Sequence, residues 1–205
     1  MTDSALPRGG SQLSDPVWDA WRPEKIARLL AGTAVPWYVA GGWAIDLFRG
    51  EQIREHQDLE IGVPAGSFAA VRAALGGYEF DVVGGGRRWP VDSPALDQMH
   101  QTWVREPVTG VYRLDIFREP HDGDVWICRR DNSIRLPYAQ IISFTPARIP
   151  YLAPEIVLLF KAKETRPKDE ADFAGVLPVL SAPQRAWLHQ SLIRVHPGHP
   201  WIAVL

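Results

Sequence analysis

A single cysteine, Cys128, stands among 205 residues, so no internal disulfide can form, and the chain suits a reducing cytoplasm. Its place in the alternating segment VWICR reads as packing rather than as a catalytic thiol. No apolar stretch reaches the roughly 20 residues that a membrane span needs, and the N-terminus lacks the basic-then-apolar pattern of a signal peptide. A cytoplasmic protein with no membrane partner is therefore expected. A basic excess is missing too. Lysine and arginine number 22 against 24 acids, a net charge of −2, which weighs against a nucleic-acid partner. Internal repeats and low-complexity segments are also missing.

With 46% hydrophobic and 22% charged residues, the composition is that of an ordinary globule. The length allows one good core with a small helical appendage. Residues 1–13 (MTDSALPRGGSQL) read as a flexible leader. A core is expected over 14–150 and a helical lobe over 151–205. Ser14-Asp15-Pro16 reads as a helix start, with Val17, Trp18, Trp21, Ile26, Leu29 and Leu30 at roughly helical spacing and Gly32 at the end. Trp37–Ala40 reads as a buried strand, Trp43–Phe48 as a short helix closed by Gly50, and Asp58–Val63 as a strand. A helix carrying Phe68, Val71 and Leu75 follows Pro64. Strands are expected near Tyr78–Val83, Arg88–Val91, Gln101–Arg105, Val111–Arg118 and Val125–Arg129. From Pro154 the pattern turns helical, in PEIVLLFKAKET, RPKDEADFAGVLPVL and Ala182–Ile193, with an irregular tail.

The stretch Tyr38–Val63, YVAGGWAIDLFRGEQIREHQDLEIGV, is the most informative. A helix opening at Gly41-Gly42 aims free backbone N–H groups at an anion such as a phosphate. Asp58 and Glu60 stand two apart, so on a strand both carboxylates face one side. Leu59, Ile61 and Val63 make the other side apolar. Asp115, in VYRLDIF, is a lone acid among apolar neighbours, a setting where acids are usually paired, metal-bound or catalytic. Arg54 and His56 precede the pair at the same two-residue spacing, and an early strand start would place them on its side. A solvated strand face and a loop histidine are the plain alternatives.

Two other runs resemble sites without the flanking elements of one. GGGRR at 84–88 lacks the Lys-Ser/Thr and the helix of a P-loop and reads as a hairpin turn. HDGD at 121–124 has the composition of a hairpin, with Asp122 as turn chemistry. Lys161, Lys163, Arg166, Lys168 and Arg185 punctuate the helical end, and Lys163 and Lys168 are the chosen candidates for a phosphate. Nine tryptophans are many for this length. Trp89, Trp103 and Trp126 are the rings expected to wall a cleft.

The run VAGGWAIDLFRGEQIREHQDLEIGV resembles the antibiotic nucleotidyltransferases of the polymerase-β-like superfamily. It is most similar to the aminoglycoside 2″-adenylyltransferase and lincosamide nucleotidyltransferase group. The signature of that group is a Gly-Gly turn, a short helix, an Asp-x-Asp or Asp-x-Glu strand and a third acid on a later strand. Those features fall here on Gly41 and Gly42, on Asp58 and Glu60, and on Asp115. Glu60 stands where many relatives carry Asp. The resemblance implies an α+β fold, a mixed, twisted sheet with flanking helices plus a C-terminal helical lobe. It further implies one or two Mg²⁺ ions on Asp58 and Glu60, with Asp115 as metal ligand or general base. Gly41, Gly42, Arg54, His56, Lys163 and Lys168 then serve the nucleoside triphosphate, ATP being the expected donor. The acceptor implied is a hydroxylated small molecule of the aminoglycoside or lincosamide kind, and the protein a monomer or homodimer. A toxin-like enzyme acting on tRNA or protein, and a non-catalytic nucleotide-binding relative, are the competing readings.

Overall fold

The computed structural model describes residues 6–205. The first element, β1 (Ser11–Gln12), is followed by α1 (Pro23–Leu29), shorter than the helix expected from Ser14. Pro23 explains the difference. It has no N–H to donate and pushes Arg22 into extended backbone, so the helix starts at the proline instead of running through it. Residues 17–21 run extended beside a later strand, with Asp19 N donating to Tyr112 O and Trp21 N to Arg113 O. Next come β2 (Tyr38–Val39), α2 (Gly41–Arg49), β3 (Glu60–Pro64) and α3 (Phe68–Ala74). The strand expected from Asp58 thus begins two residues later.

The middle of the chain holds β4 (Glu79–Gly84), β5 (Arg87–Pro90), α4 (Ala95–Gln98), β6 (Gln101–Arg105), β7 (Tyr112–Glu119), β8 (His121–Asp122), β9 (Val125–Ile127) and β10 (Arg135–Pro137). Then follow α5 (Tyr138–Ile141), β11 (Ile142–Phe144), β12 (Pro150–Leu152), α6 (Pro154–Lys161), α7 (Pro167–Val176) and α8 (Ala182–Val195). Among the described residues no helix is long and apolar enough to cross a membrane.

Two compact units make up the chain, and they interleave along it. The first comprises residues up to Trp37 together with His56–His121. Its strands lie in the order β1-β5-β4-β6-β7-β3, a mixed sheet in which β3 and β7 are parallel and the β1–β5, β5–β4, β4–β6 and β6–β7 pairs antiparallel. Gly85 and Gly86, both with positive φ, make the two-residue turn between β4 and β5, the geometry of GGGRR read from sequence as a hairpin. One face of the sheet carries Ile61, Val63, Phe80, Val82, Val104, Leu114 and Ile116, all at most 8% exposed. Phe68 of α3 meets Phe80 edge to face, 6.0 Å between centroids, so α3 covers this side. Each such side chain is worth roughly 1.5–3 kcal/mol of burial. Of the leader, residues 1–5 lie outside the described residues. The rest is tied down: β1 pairs with β5, and Trp89 Nε1 donates to the carbonyls of Pro7 and Arg8.

The second unit comprises Tyr38–Glu55 and Asp122–Leu205. Its β12 pairs parallel with β2 and antiparallel with β11, while β9 and β10 form a separate antiparallel pair. Helices α6 to α8 supply the helical end expected from Pro154 onward, with the break at Pro167 separating α6 from α7. A buried ion network ties these helices to the segment after α2. Lys161 reaches Asp169 at 2.7 Å and Asp172 at 2.9 Å, and Arg54 binds Asp172 with two parallel contacts of 3.1 and 3.0 Å. Arg166 closes the group on Asp169 at 2.7 Å. Burial alone would raise the two carboxyls. The hydrogen bonds from Arg166 and Lys161 on Asp169, and from Arg54 and Lys161 on Asp172, outweigh it and hold both below the usual carboxylate range.

Depressed carboxyls stabilise the fold fully above the unfolded-state value near 3.9, and that contribution is lost progressively as pH falls from there through their lower folded-state values. Lys161→Met should cost about 1.5–3 kcal/mol, because it removes one of the two cations held by each of two buried carboxylates. Denaturant unfolding at pH 7 and at pH 3 should show a large gap between wild type and variant at pH 7 that narrows at pH 3. An equal gap at both values would remove the network from the account.

Candidate active site

The three acids singled out by sequence all fall in the first unit, and the sheet sets two of them, Glu60 and Asp115, side by side. Glu60 on β3 is the direct register partner of Asp115 on the parallel strand β7. One residue earlier, Asp115 N donates to Leu59 O at 2.8 Å, so the pairing reaches almost to Asp58. Across β7 the partner of Asp115 is Trp103 on β6, whose own partner on β4 is Asp81. Paired residues share a face. Asp81, Trp103, Asp115 and Glu60 therefore form one row across four strands, on the side opposite the apolar face.

Asp115 is 3% exposed. Its Oδ2 accepts from Gln101 Nε2, while its Oδ1 is buried with no hydrogen-bond partner. Burial pushes this carboxyl well above the ordinary range, and the charge of Glu60 pushes it further; Asp58 adds to the same effect. Gln101 and the Trp103 indole act in the opposite direction without prevailing. The site thus sets a buried carboxyl, one oxygen of which has no hydrogen-bond partner, beside two further acids.

Such a set fits a divalent cation of the Mg²⁺ type, which takes carboxylate oxygens. The orphaned Oδ1 is an acceptor in want of a partner, and a cation would relieve the repulsion among the three acids. Among the described residues no three His, Cys, Asp or Glu side chains form a ready-made metal cage. The carboxylates share a face but are not drawn together.

Asp81 shows the contrasting case. It is 7% exposed, yet its Oδ2 accepts from Tyr112 Oη at 2.8 Å, Arg105 Nε at 3.0 Å and Arg88 Nη1 at 3.2 Å. Burial, with the Asp81 contact second, pushes the Tyr112 phenol up to about 12. Trp103 stands between these two acids and packs edge-on with Trp18 at 4.9 Å and Tyr112 at 5.0 Å. It is half-buried, as is Trp18. Of the rings expected to wall a cleft, Trp89 and Trp126 are 2% and 0% exposed and serve as core. Trp103 alone of the three stays accessible.

The remaining candidates separate. His56, in the first unit, is half-buried in the irregular stretch before β3. Arg54 lies in the second unit, bound to Asp172, and the early strand start that would have aligned it with Asp58 does not occur. Gly41 and Gly42, also in the second unit, open α2 as expected. Gly41 takes φ +59°, a conformation that favours glycine, and no side chain caps the helix. Lys163 is exposed and pairs with Glu164 at 3.5 Å; Lys168 is exposed in the first turn of α7. The buried lysine is Lys161, in the ion network. Asp122, read from sequence as part of a turn, is exposed at the end of β8 just before the turn at Gly123, 4.0 Å from Arg135. Gln101, which touches Asp115 directly, was not among the residues read from sequence. Only its place two residues before Trp103 on an alternating strand could have pointed to it.

Comparisons with known proteins bear on the fold. The family model described as aminoglycoside-2''-adenylyltransferase matches residues 24–99. Among solved structures, the lincomycin-bound lincosamide antibiotic adenylyltransferase LnuA aligns with a TM-score of 0.54 at 21% identity, covering 77% of this chain and 95% of that one. The solution structure of the antibiotic-resistance factor ANT(2'')-Ia aligns with a TM-score of 0.54 at 14% identity, covering 83% and 89%. Curated proteins yield no match. The chain therefore has the α+β nucleotidyltransferase fold and resembles the antibiotic adenylyltransferase group.

Because burial and the acidic neighbours raise the Asp115 carboxyl, its ionisation opposes folding at pH 7, and removing it should stabilise the metal-free protein. Asp115→Asn is expected to raise stability by about 0.5–2 kcal/mol at pH 7 in a chelating buffer. Thermal unfolding in EDTA checks this; a lower midpoint for the variant would contradict the electrostatic account.

Proposed function

We propose that the protein is a Mg²⁺-dependent nucleotidyltransferase that moves a nucleoside monophosphate from an NTP, with ATP the expected donor, to a hydroxyl of a small molecule. The observation that carries this reading is Asp115: a buried carboxylate in register with Glu60, beside Asp58, with one oxygen lacking any protein partner. Its resemblance to the adenylyltransferase group, and the family model matched over 24–99, support the reaction class. One structural relative is by name a lincosamide antibiotic adenylyltransferase, the other an antibiotic-resistance factor, and the family model an aminoglycoside-2''-adenylyltransferase, which together favour an aminoglycoside- or lincosamide-like acceptor.

In this reading Asp58, Glu60 and Asp115 are the residues that hold the cation. When bound, the cation neutralises phosphate charge and polarises the phosphoryl centre. The N–H groups of the uncapped Gly41-Gly42 turn offer donors to phosphate oxygens. The acceptor hydroxyl oxygen forms a bond to the α-phosphorus while the bond to pyrophosphate breaks, with catalysis mostly a matter of positioning and charge. Asp115 suits the role of base for that hydroxyl, because burial and its acidic neighbours raise its affinity for a proton. Gln101 holds its other oxygen and fixes the orientation of the carboxylate. Trp103, accessible beside Asp115, offers a ring face against which an acceptor ring can pack.

Asp58→Asn and Asp115→Asn should each reduce Mg²⁺-dependent pyrophosphate release by at least about 10³-fold while the far-UV spectrum stays unchanged. Asp122→Asn should leave the rate and its Mg²⁺ dependence as in wild type. A screen of hydroxylated antibiotics with ATP supplies the readout. Full activity in either acidic-site variant would overturn the assignment.

A further inference from the structure

Arg118 is a second buried charge, on the opposite face of the same sheet from Asp115, since the two stand three apart on β7. It is 7% exposed and directed into the apolar side. Its Nε donates to Thr102 Oγ1 at 3.0 Å, its Nη2 to Met99 O at 2.6 Å and its Nη1 to Leu96 O. The Phe68 ring lies 5.4 Å from the guanidinium carbon. These oxygens are all neutral. Among the described residues no carboxylate contacts Arg118, and two of its five N–H donors have no acceptor. Burial lowers its pKa to about 10, only partly offset by the charge of Asp97 beyond contact distance.

A buried cation without a counter-ion costs several kcal/mol, so its retention calls for a reason. Arg118 borders an open cavity of about 360 Å³, lined also by Phe68, Leu96, Gln98, Met99 and His100. That volume suits a small molecule. Its lining joins apolar side chains to one guanidinium, with Asp97 at the rim as the single acid.

We propose that this cavity binds a small oxyanion, a carboxylate or phosphate carried on a compact apolar body, with Arg118 as its cation. The guanidinium is held in place by two carbonyls and a hydroxyl, and keeps one further N–H on each of Nη1 and Nη2 for such a group. The site is separate from the acidic row and stands independently of the reaction proposed above.

The full-length protein, labelled with ¹⁵N, should be titrated with butyrate and with inorganic phosphate, using chloride at matched ionic strength as control. Arg118→Lys assigns the Arg118 Nε–H signal. One of the two oxyanions should shift that signal saturably, and the arm that saturates identifies the anion class. Ala65→Phe places a bulky ring in the cavity wall while leaving Arg118 in place. It should weaken the response at least tenfold, with backbone amide signals elsewhere unchanged. Shifts equal to those with chloride, or equal in wild type and Ala65→Phe, would overturn the proposal and leave Arg118 a structural charge held by carbonyls.

Discussion

The parallel pairing of β3 with β7 places Glu60 directly against Asp115, and the rest of the candidate site follows from that contact. Two carboxylates in register on a parallel pair repel each other, and a strand face offers neither of them an easy escape. At Asp115 the penalty is compounded by burial and by Asp58. A fold gains nothing from this arrangement. Gln101 relieves one oxygen and leaves the other without a partner. Unrelieved charge at a buried, geometrically fixed position is where function and stability part, and it is the physical reason for placing a cation and a phosphoryl transfer at this row rather than elsewhere.

Among the other buried charges of the same sheet, Asp81 and Arg118 sharpen the contrast. Asp81, two strands away in the same row, has three donors on one oxygen, two of them arginines. It is a satisfied structural acid. Arg118, on the other face, is fully oriented but contacts only neutral oxygens. Satisfied, repelled and uncompensated charges thus coexist within a few strands. Burial is common to all three, so burial by itself does not single out a site. What distinguishes Asp115 is that its nearest charged neighbours have its own sign.

Much of the fold was legible from local pattern. β6 falls at Gln101–Arg105 as expected, because alternation on a half-buried antiparallel strand leaves a clear period of two. The Gly-Gly opening of α2 and the Gly85-Gly86 hairpin were legible because positive φ leaves a residue-specific trace. What failed did so where a nonlocal partner overrode local preference. Residues 17–21 have helical spacing, yet they satisfy their backbone against Tyr112 and Arg113, a choice settled by Pro23 and by a strand some ninety positions away. The segment 138–152, with α5, β11 and β12, was passed over because its elements are three or four residues long, too short for any period to register.

The acids of the site and the basic residues fared differently for a related reason. Asp58, Glu60 and Asp115 break an apolar pattern, and a charge set among Leu, Ile and Val carries its anomaly in the sequence itself. Lys161, Lys163 and Lys168 all sit in polar helical text, where nothing local says which one is buried. The answer depends on Asp169 and Asp172, which approach Lys161 only because Pro167 breaks the chain and starts α7 anew. Arg54 was read as a phosphate ligand from its spacing to Asp58, but the extended backbone that would make spacing meaningful begins at Glu60. Spacing arguments therefore hold only within a regular element. Within β3 and β7 they hold, and there the register sets Glu60 and Asp115, fifty-five positions apart, side by side.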